Sequence, residues 1–274
     1  MTFAASDAAT ASEPADYAAV AADPAWEALG RELDLWEAGR RATLWWRDDD
    51  AAEVTPGLER LLGLQAEHAV PLALAIIPDR LAPALTLRLA GCEGIVILQH
   101  GYRHRNHAGK GDGAWELGDH RPLEQVAADL AAGQQQLAEA FGERFLPVLA
   151  PPWNRISERV VRRLPALCFV GLSTFRARDR AEPAPGLVQV NAHCDPITWK
   201  RGTRFAGTGR ALDDLIGHLR ARRMGTADPG EPTGLVTHHL ALDAPAWAFV
   251  GELLRRTRAH PRAAWQDACE VFRQ

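Results

Sequence analysis

Short apolar runs recur along the chain at intervals that leave room for a helix between them. They are TLWWR (43–47), PLALAII (71–77), GIVILQH (94–100), FLPVLA (145–150), FVGLST (169–174), LVQVNAH (187–193) and GLVTHH (234–239). Nearly continuous apolarity over five to seven residues predicts strands covered on both faces, the condition of a parallel sheet flanked by helices. Helical periodicity fills 56–68, 81–90, 122–141, 157–166, 208–223 and 244–258, and an amphipathic helix precedes the first strand, with Trp26, Leu29, Leu33 and Trp36 on one face. A βα alternation joined by right-handed crossovers predicts an α/β fold, here a distorted (β/α) barrel with about seven parallel strands.

Residues 1–22 break this pattern. They are Ala-rich with scattered acids and almost no large apolar side chains, so a disordered tail is expected there and one barrel domain over 23–274. A chain of 274 residues with 47% hydrophobic content can bury a core of that size. Segment 176–186, RARDRAEPAPG, reads as a solvated loop. The formal charge of -4 gives no long-range attraction for phosphate backbones or anionic membranes, so no nucleic-acid or membrane partner is expected. Cys92, Cys168, Cys194 and Cys269 are too scattered for a disulfide framework or a thiolate metal site and read as buried small hydrophobes. The N-terminus has neither a basic region nor an apolar one, and no run of ~20 apolar residues occurs, so a cytoplasmic protein is expected. The oligomeric state has no signature.

The chemistry-bearing residues fall where the apolar runs end. Asp48, Asp49 and Asp50 follow the first run, His100 the third, Pro152, Trp153 and Asn154 the fourth, and His238 the seventh. In parallel α/β barrels the loops after the strands converge over one mouth, which gathers residues distant in sequence. Three successive carboxylates beside an apolar strand repel one another unless a cation relieves them, although an acidic turn or helix cap before Pro56 explains them too. QHGYRHRNH (99–107) places His100 and His104 in HxxxH spacing, with His107 three residues on, and two imidazoles plus a carboxylate suit a catalytic divalent ion. Hydrogen-bonded surface histidines are the alternative.

APPWNR (150–155) stiffens the chain around Trp153, either as a wall on which a sugar ring stacks or as packing on the barrel rim. HCDPITWK (193–200) offers Asp195 and Trp199 for a pocket side, or an ordinary Asp-Pro turn. In VTHH (236–239) one histidine must turn away if the chain is still extended, leaving His238 as candidate general acid and His239 as structural.

Taken in order, RDDDA, HGYRH, APPW, DPITW and VTHH resemble the five motif regions of the polysaccharide deacetylase family, the chitin and peptidoglycan N-deacetylase type. The resemblance implies a metal-dependent hydrolase removing an N-acetyl or related acyl group from an amino-sugar-containing substrate. It implies Asp49 as base, Asp50, His100 and His104 as metal ligands, and His238 as general acid; Pro152, Trp153, Asn154, Asp195 and Trp199 stand as candidate substrate contacts. The cofactor expected is one divalent ion, zinc first, with cobalt, manganese or nickel as alternatives. Asp48 and Asp49 are the alternative pair for the two acidic roles, with the small Ala51 directly after the triplet favouring the later pair. Ala150 stands where the family's third motif has an arginine that holds the base, and Arg155 or Arg47 are the candidates to replace it. Two other classes remain: a two-metal phosphoesterase using Asp48, His107 and His239 as a second ligand set, and a catalytically inactive carbohydrate-binding barrel.

Overall fold

The structure, a computed structural model, describes residues 9–37, 39–200 and 202–273. Its strands are β1 (Ala42–Ala51), β2 (Leu72–Ile76), β3 (Ile95–His100), β4 (Phe145–Ala150), β5 (Gly171–Leu172), β6 (Val188–Gln189), β7 (Ile197–Thr198), β8 (Arg204–Phe205), β9 (Thr233–Thr237) and β10 (Ala263–Trp265). The helices are α1 (Ala9–Ala21), α2 (Ala25–Asp34), α3 (Pro56–His68), α4 (Pro83–Leu89), α5 (Leu123–Phe141), α6 (Glu158–Val161), α7 (Thr208–Arg223), α8 (Ala244–Ala259) and α9 (Ala268–Val271).

Eight strands form one parallel sheet, ordered β10-β1-β2-β3-β4-β5-β6, with β9 also paired to β1. Each of the seven apolar runs supplies a strand. Beyond Ala192, whose amide still donates to the Thr174 carbonyl at 3.0 Å, the chain leaves the β5 side and crosses to β9, where Cys194 bridges Leu235 in parallel and the His193 amide donates to the Gly234 carbonyl at 2.7 Å. That crossing curls the sheet into a distorted barrel. It requires glycine at 234, because a Cβ there would meet Trp45 Nε1 and the Asn191 carbonyl at 2.5 and 2.6 Å.

The alternation of β1 divides two cores. Trp45 points inward with Ala73, Ala75, Leu98, Val148 and Val190, and is closed from below by Phe272, 5.7 Å away edge to face. Leu44 and Trp46 point outward into the layer that buries α2, α3, α7 and α8. At roughly 25 cal/mol per Å², each of these tryptophans contributes several kcal/mol of burial, which fixes the face that β1 presents to either side. Beside the barrel mouth α3 starts sharply, with Pro56 at its first position and the Thr55 hydroxyl accepting the Leu58 amide at 3.1 Å.

Three features differ from the sequence reading. Where a disordered lead-in is expected, Ala9–Ala21 is helical; the Val20 carbonyl takes the Trp26 indole proton at 2.7 Å and the Tyr17 hydroxyl donates to Glu252 at 3.1 Å. Those anchors lie outside the segment, on α2 and α8, so its own composition did not announce them. Strand β10 is three residues, AAW, too short for a periodic signal. The cysteines are all free, but only Cys194 is buried; Cys168 is exposed. Among the described residues no helix is long and apolar enough to cross a membrane.

Candidate metal and catalytic site

Inward alternation along β1 carries Trp45, then Arg47, then Asp49 into the barrel, while Asp48 faces out. The outward Asp48 is fully engaged. It accepts the Thr237 hydroxyl at 2.6 Å, the His239 amide at 3.1 Å and His239 Nδ1 at 2.5 Å, a tie between β1 and the end of β9. Alternation then stops. Asp50 has φ 73°, and the β1/β2 register shifts between Asp48 and Ala51, so a bulge turns the third carboxylate toward the mouth.

There Asp50 Oδ1 lies 3.2 Å from His100 Nε2 and 3.2 Å from His104 Nε2. Neither contact has hydrogen-bond geometry, and the buried oxygen has no other partner. Three ligand atoms within 4.8 Å of one another, one an unsatisfied carboxylate oxygen, fit a divalent cation better than they fit each other. Burial opposes ionisation of Asp50, but His100, His238 and His104 outweigh it and hold the carboxyl below its ordinary range. His104 is pushed down by burial and by His100, toward the neutral form that ligates.

Backbone strain builds this corner. His104, Trp153 and Asn154 all have positive φ, at 54°, 56° and 54°. Gly101 begins the loop at φ 56°, and a Cβ there would collide with Glu116 and Pro152. Buried Glu116 holds the loop in return, its carboxylate accepting the Tyr102 and Arg103 amides at 3.1 and 2.7 Å. Sequence reasoning missed Glu116, which stands in a stretch without periodicity and declares itself only through the amides it collects. Trp153 packs on the His104 ring at 4.4 Å.

Asp49 sits beside this group, held by Arg47. The guanidinium is wholly buried and meets the carboxylate twice, Nε to Oδ1 at 2.9 Å and Nη2 donating to Oδ2 at 3.0 Å. Its remaining protons go to the Ser173 carbonyl at 2.8 Å, the Ser173 hydroxyl at 2.5 Å and Asn154 Oδ1 at 2.7 Å. Arg155 points elsewhere, over the Trp115 ring at 5.6 Å. His238 Nε2 lies 3.9 Å from Asp49 Oδ2, with the Trp199 ring edge-on at 4.9 Å. Trp199 is half exposed, and its indole donates to Asp195 Oδ2 at 2.8 Å. Burial pushes the Asp195 carboxyl up, against the opposing pull of His238.

The structure thus gathers Asp49, Asp50, His100, His104 and His238, with Trp153, Asp195 and Trp199 around them. Pro152 is buried under Gly101, and the Asn154 oxygen is committed to Arg47. His107 lies apart, its amide bonded to the Trp115 carbonyl at 2.8 Å. The second ligand set of Asp48, His107 and His239 therefore does not assemble, because Asp48 and His239 satisfy each other.

One other group of ligand-type residues occurs among the described residues, His193, His218 and Glu231. The Gly234 amide donates to His193 Nδ1 at 2.9 Å, which leaves the proton on Nε2, 3.5 Å from Glu231 Oε2, with no lone pair there for a cation. His218 Nε2 faces the same oxygen at 3.6 Å, and the two rings stack at 3.3 Å. Glu231 also accepts the Arg178 and Asn191 amides at 3.0 and 2.9 Å, so the cluster ties loops at the start of β9. Burial pushes His193 down to about 4 and lowers His218 as well. Unfolded histidine, near 6.5, binds its proton first, so the cluster's contribution is complete above about pH 6.5 and is lost as pH falls toward 4. Thermal melts from pH 7 to 4.5 should show a steeper decline for the wild type than for His193→Gln; parallel curves would count against this role.

No family model and no curated protein matches the chain. Solved structures do. A Mycobacterium smegmatis protein described as a polysaccharide deacetylase superposes with TM-score 0.60 over 86% of this chain and 90% of its own, at 18% identity. The fold is that of the polysaccharide deacetylases. A peptidoglycan N-acetylglucosamine deacetylase superposes at TM-score 0.53 over 87% of this chain and 91% of its own, with 13% identity. A CE4 family pseudoenzyme from Bacillus anthracis reaches 0.52 over 86% of this chain and 66% of its own, also at 13% identity. The architecture therefore hosts active and inactive members alike, and function must be argued from the site.

Proposed function

We propose that the protein is a metal-dependent hydrolase that removes an N-acetyl or related acyl group from an amino-sugar-containing substrate. The observation that carries this reading is the unsatisfied Asp50 oxygen facing His100 and His104 at 3.2 Å each, directly beside the Arg47-held Asp49. Asp50, His100 and His104 would hold one divalent ion, zinc by the chemistry of two imidazoles and a carboxylate. When bound, such an ion supplies Lewis acidity to an amide carbonyl and to water.

The chain's own groups do the rest. Asp49 takes a proton from the attacking water: its Oδ1 lies 2.9 Å from Arg47 Nε without hydrogen-bond geometry, so the guanidinium holds the carboxylate by charge while that oxygen keeps its acceptor capacity. Arg47 aims that carboxylate and supplies the guanidinium that Ala150 lacks. His238 Nε2 delivers a proton to the departing amine, which is otherwise a very poor leaving group. Trp199 and Trp153 wall the two sides, where the apolar face of a sugar ring stacks.

The test is acetate release from small N-acetylated amino sugars by zinc-loaded protein, compared with His238→Ala. The variant should keep its metal and lose turnover by ~10²- to 10⁴-fold, the range of positioned acid catalysis. Wild-type turnover in the variant would remove His238 from the mechanism, and no acetate from any substrate would point to the inactive class of this fold.

A further inference from the structure

A cavity of about 420 Å³ opens on Asp50 and His104 and runs between Ala52, Ile77 and Leu240. It sits at the small end of the ~300–1,000 Å³ range of small-molecule sites, room for one sugar ring and a substituent. Two charged side chains, Glu53 and Arg80, also line it. Both are exposed, and neither has a hydrogen-bonding or ion-pair partner for its side chain among the described residues. The acid next to Arg80 in sequence is taken: Asp79 is engaged by Arg103 at 3.4 Å, and Arg103 in turn lies over the Tyr102 ring at 5.2 Å.

Arg80 therefore brings a planar guanidinium with five donors to the cavity, hydrated rather than tied to another side chain among the described residues, so a ligand has only water to displace. Such a fork matches the oxygens of a carboxylate or a phosphate. Glu53, an acceptor only, suits the hydroxyl donors of a sugar ring, so the two charges read different parts of one ligand rather than cancelling. Leu240, exposed at the rim, offers apolar surface to the ring's C–H face, while the buried Ile77 closes the floor.

We infer that the substrate carries an anionic substituent, a carboxylate or a phosphate monoester, which Arg80 binds while the acyl group lies at the Asp50 and His104 end of the cavity. This rests on the deacetylase reading and narrows it to a small anionic N-acyl amino sugar. Kinetics on zinc-loaded protein with N-acetylglucosamine, N-acetylglucosamine 6-phosphate and N-acetylmuramic acid test it, the last two separating phosphate from carboxylate. At least one anionic probe should exceed the neutral one about tenfold or more in kcat/KM. Arg80→Gln should collapse that ratio mainly through KM, Arg80→Lys should keep part of it, and added salt should erode it. A wild-type ratio near one, or a ratio that survives Arg80→Gln, overturns the inference while leaving the deacetylase reading intact. Calorimetric binding of glucosamine 6-phosphate and muramic acid, the corresponding amines, gives the converse. Arg80-dependent binding without acetate from any probe would uphold the anion site and sink the deacetylase reading, and neither binding nor acetate would sink both.

Discussion

Asp49→Asn should lower turnover by about 10³- to 10⁴-fold, the upper part of the range for a positioned base, while leaving bound metal unchanged. An amide cannot take the proton; its oxygen still accepts one Arg47 N–H, but the buried guanidinium loses its counter-ion, so a lower melting temperature accompanies the loss of turnover and both are read on protein held well below that melt. Asp50→Asn should behave differently, because it removes a charged ligand at the bulge and so weakens metal binding itself. Elemental analysis beside steady-state rates separates the two carboxylates. If Asp48→Asn proved the catalytically crippling change instead, the assignment along β1 would be wrong by one register.

Arg47→Met should cost both stability and activity. It leaves the Asp49 carboxylate, 1% exposed, buried without its counter-ion, and breaking one partner of a buried pair costs roughly 3–5 kcal/mol. At roughly 2–4 °C per kcal/mol for chains of this size, the melting temperature should fall by on the order of 10 °C. The double change Arg47→Met with Asp49→Leu removes both charges and should recover much of that loss without recovering turnover. A single Arg47→Met variant that melts like the wild type would show that the guanidinium does not hold the base.

Much of this was legible from the chain. The seven apolar runs locate the strands because a parallel strand covered on both faces leaves a continuous signature, and the strand-end rule gathers Asp50, His100, His104 and His238 over one mouth. Which acid faces which way was not legible. Regular alternation would put Asp48 and Asp50 on the same face; the left-handed turn at Asp50, φ 73°, breaks that rule and is visible only in three dimensions. The replacement for the arginine missing at Ala150 was likewise open between Arg47 and Arg155. Position along the strand determines which of them reaches Asp49, since Arg47 shares the inward face of β1 with it, whereas Arg155 lies against Trp115. Glu116 and the closing Gly234 act through backbone groups remote in sequence, and neither belongs to any periodic pattern.

The chain's likeness to solved deacetylases is one of fold, so the metal site is where the account stands or falls. The decisive measurement is bound metal per chain after incubation with zinc and removal of the excess, for the wild type and for His104→Ala. One ion per chain in the wild type, lost in His104→Ala with the melting behaviour of the barrel otherwise preserved, is the predicted result. No ion in the wild type, or an ion retained undiminished when His104 is gone, would contradict it.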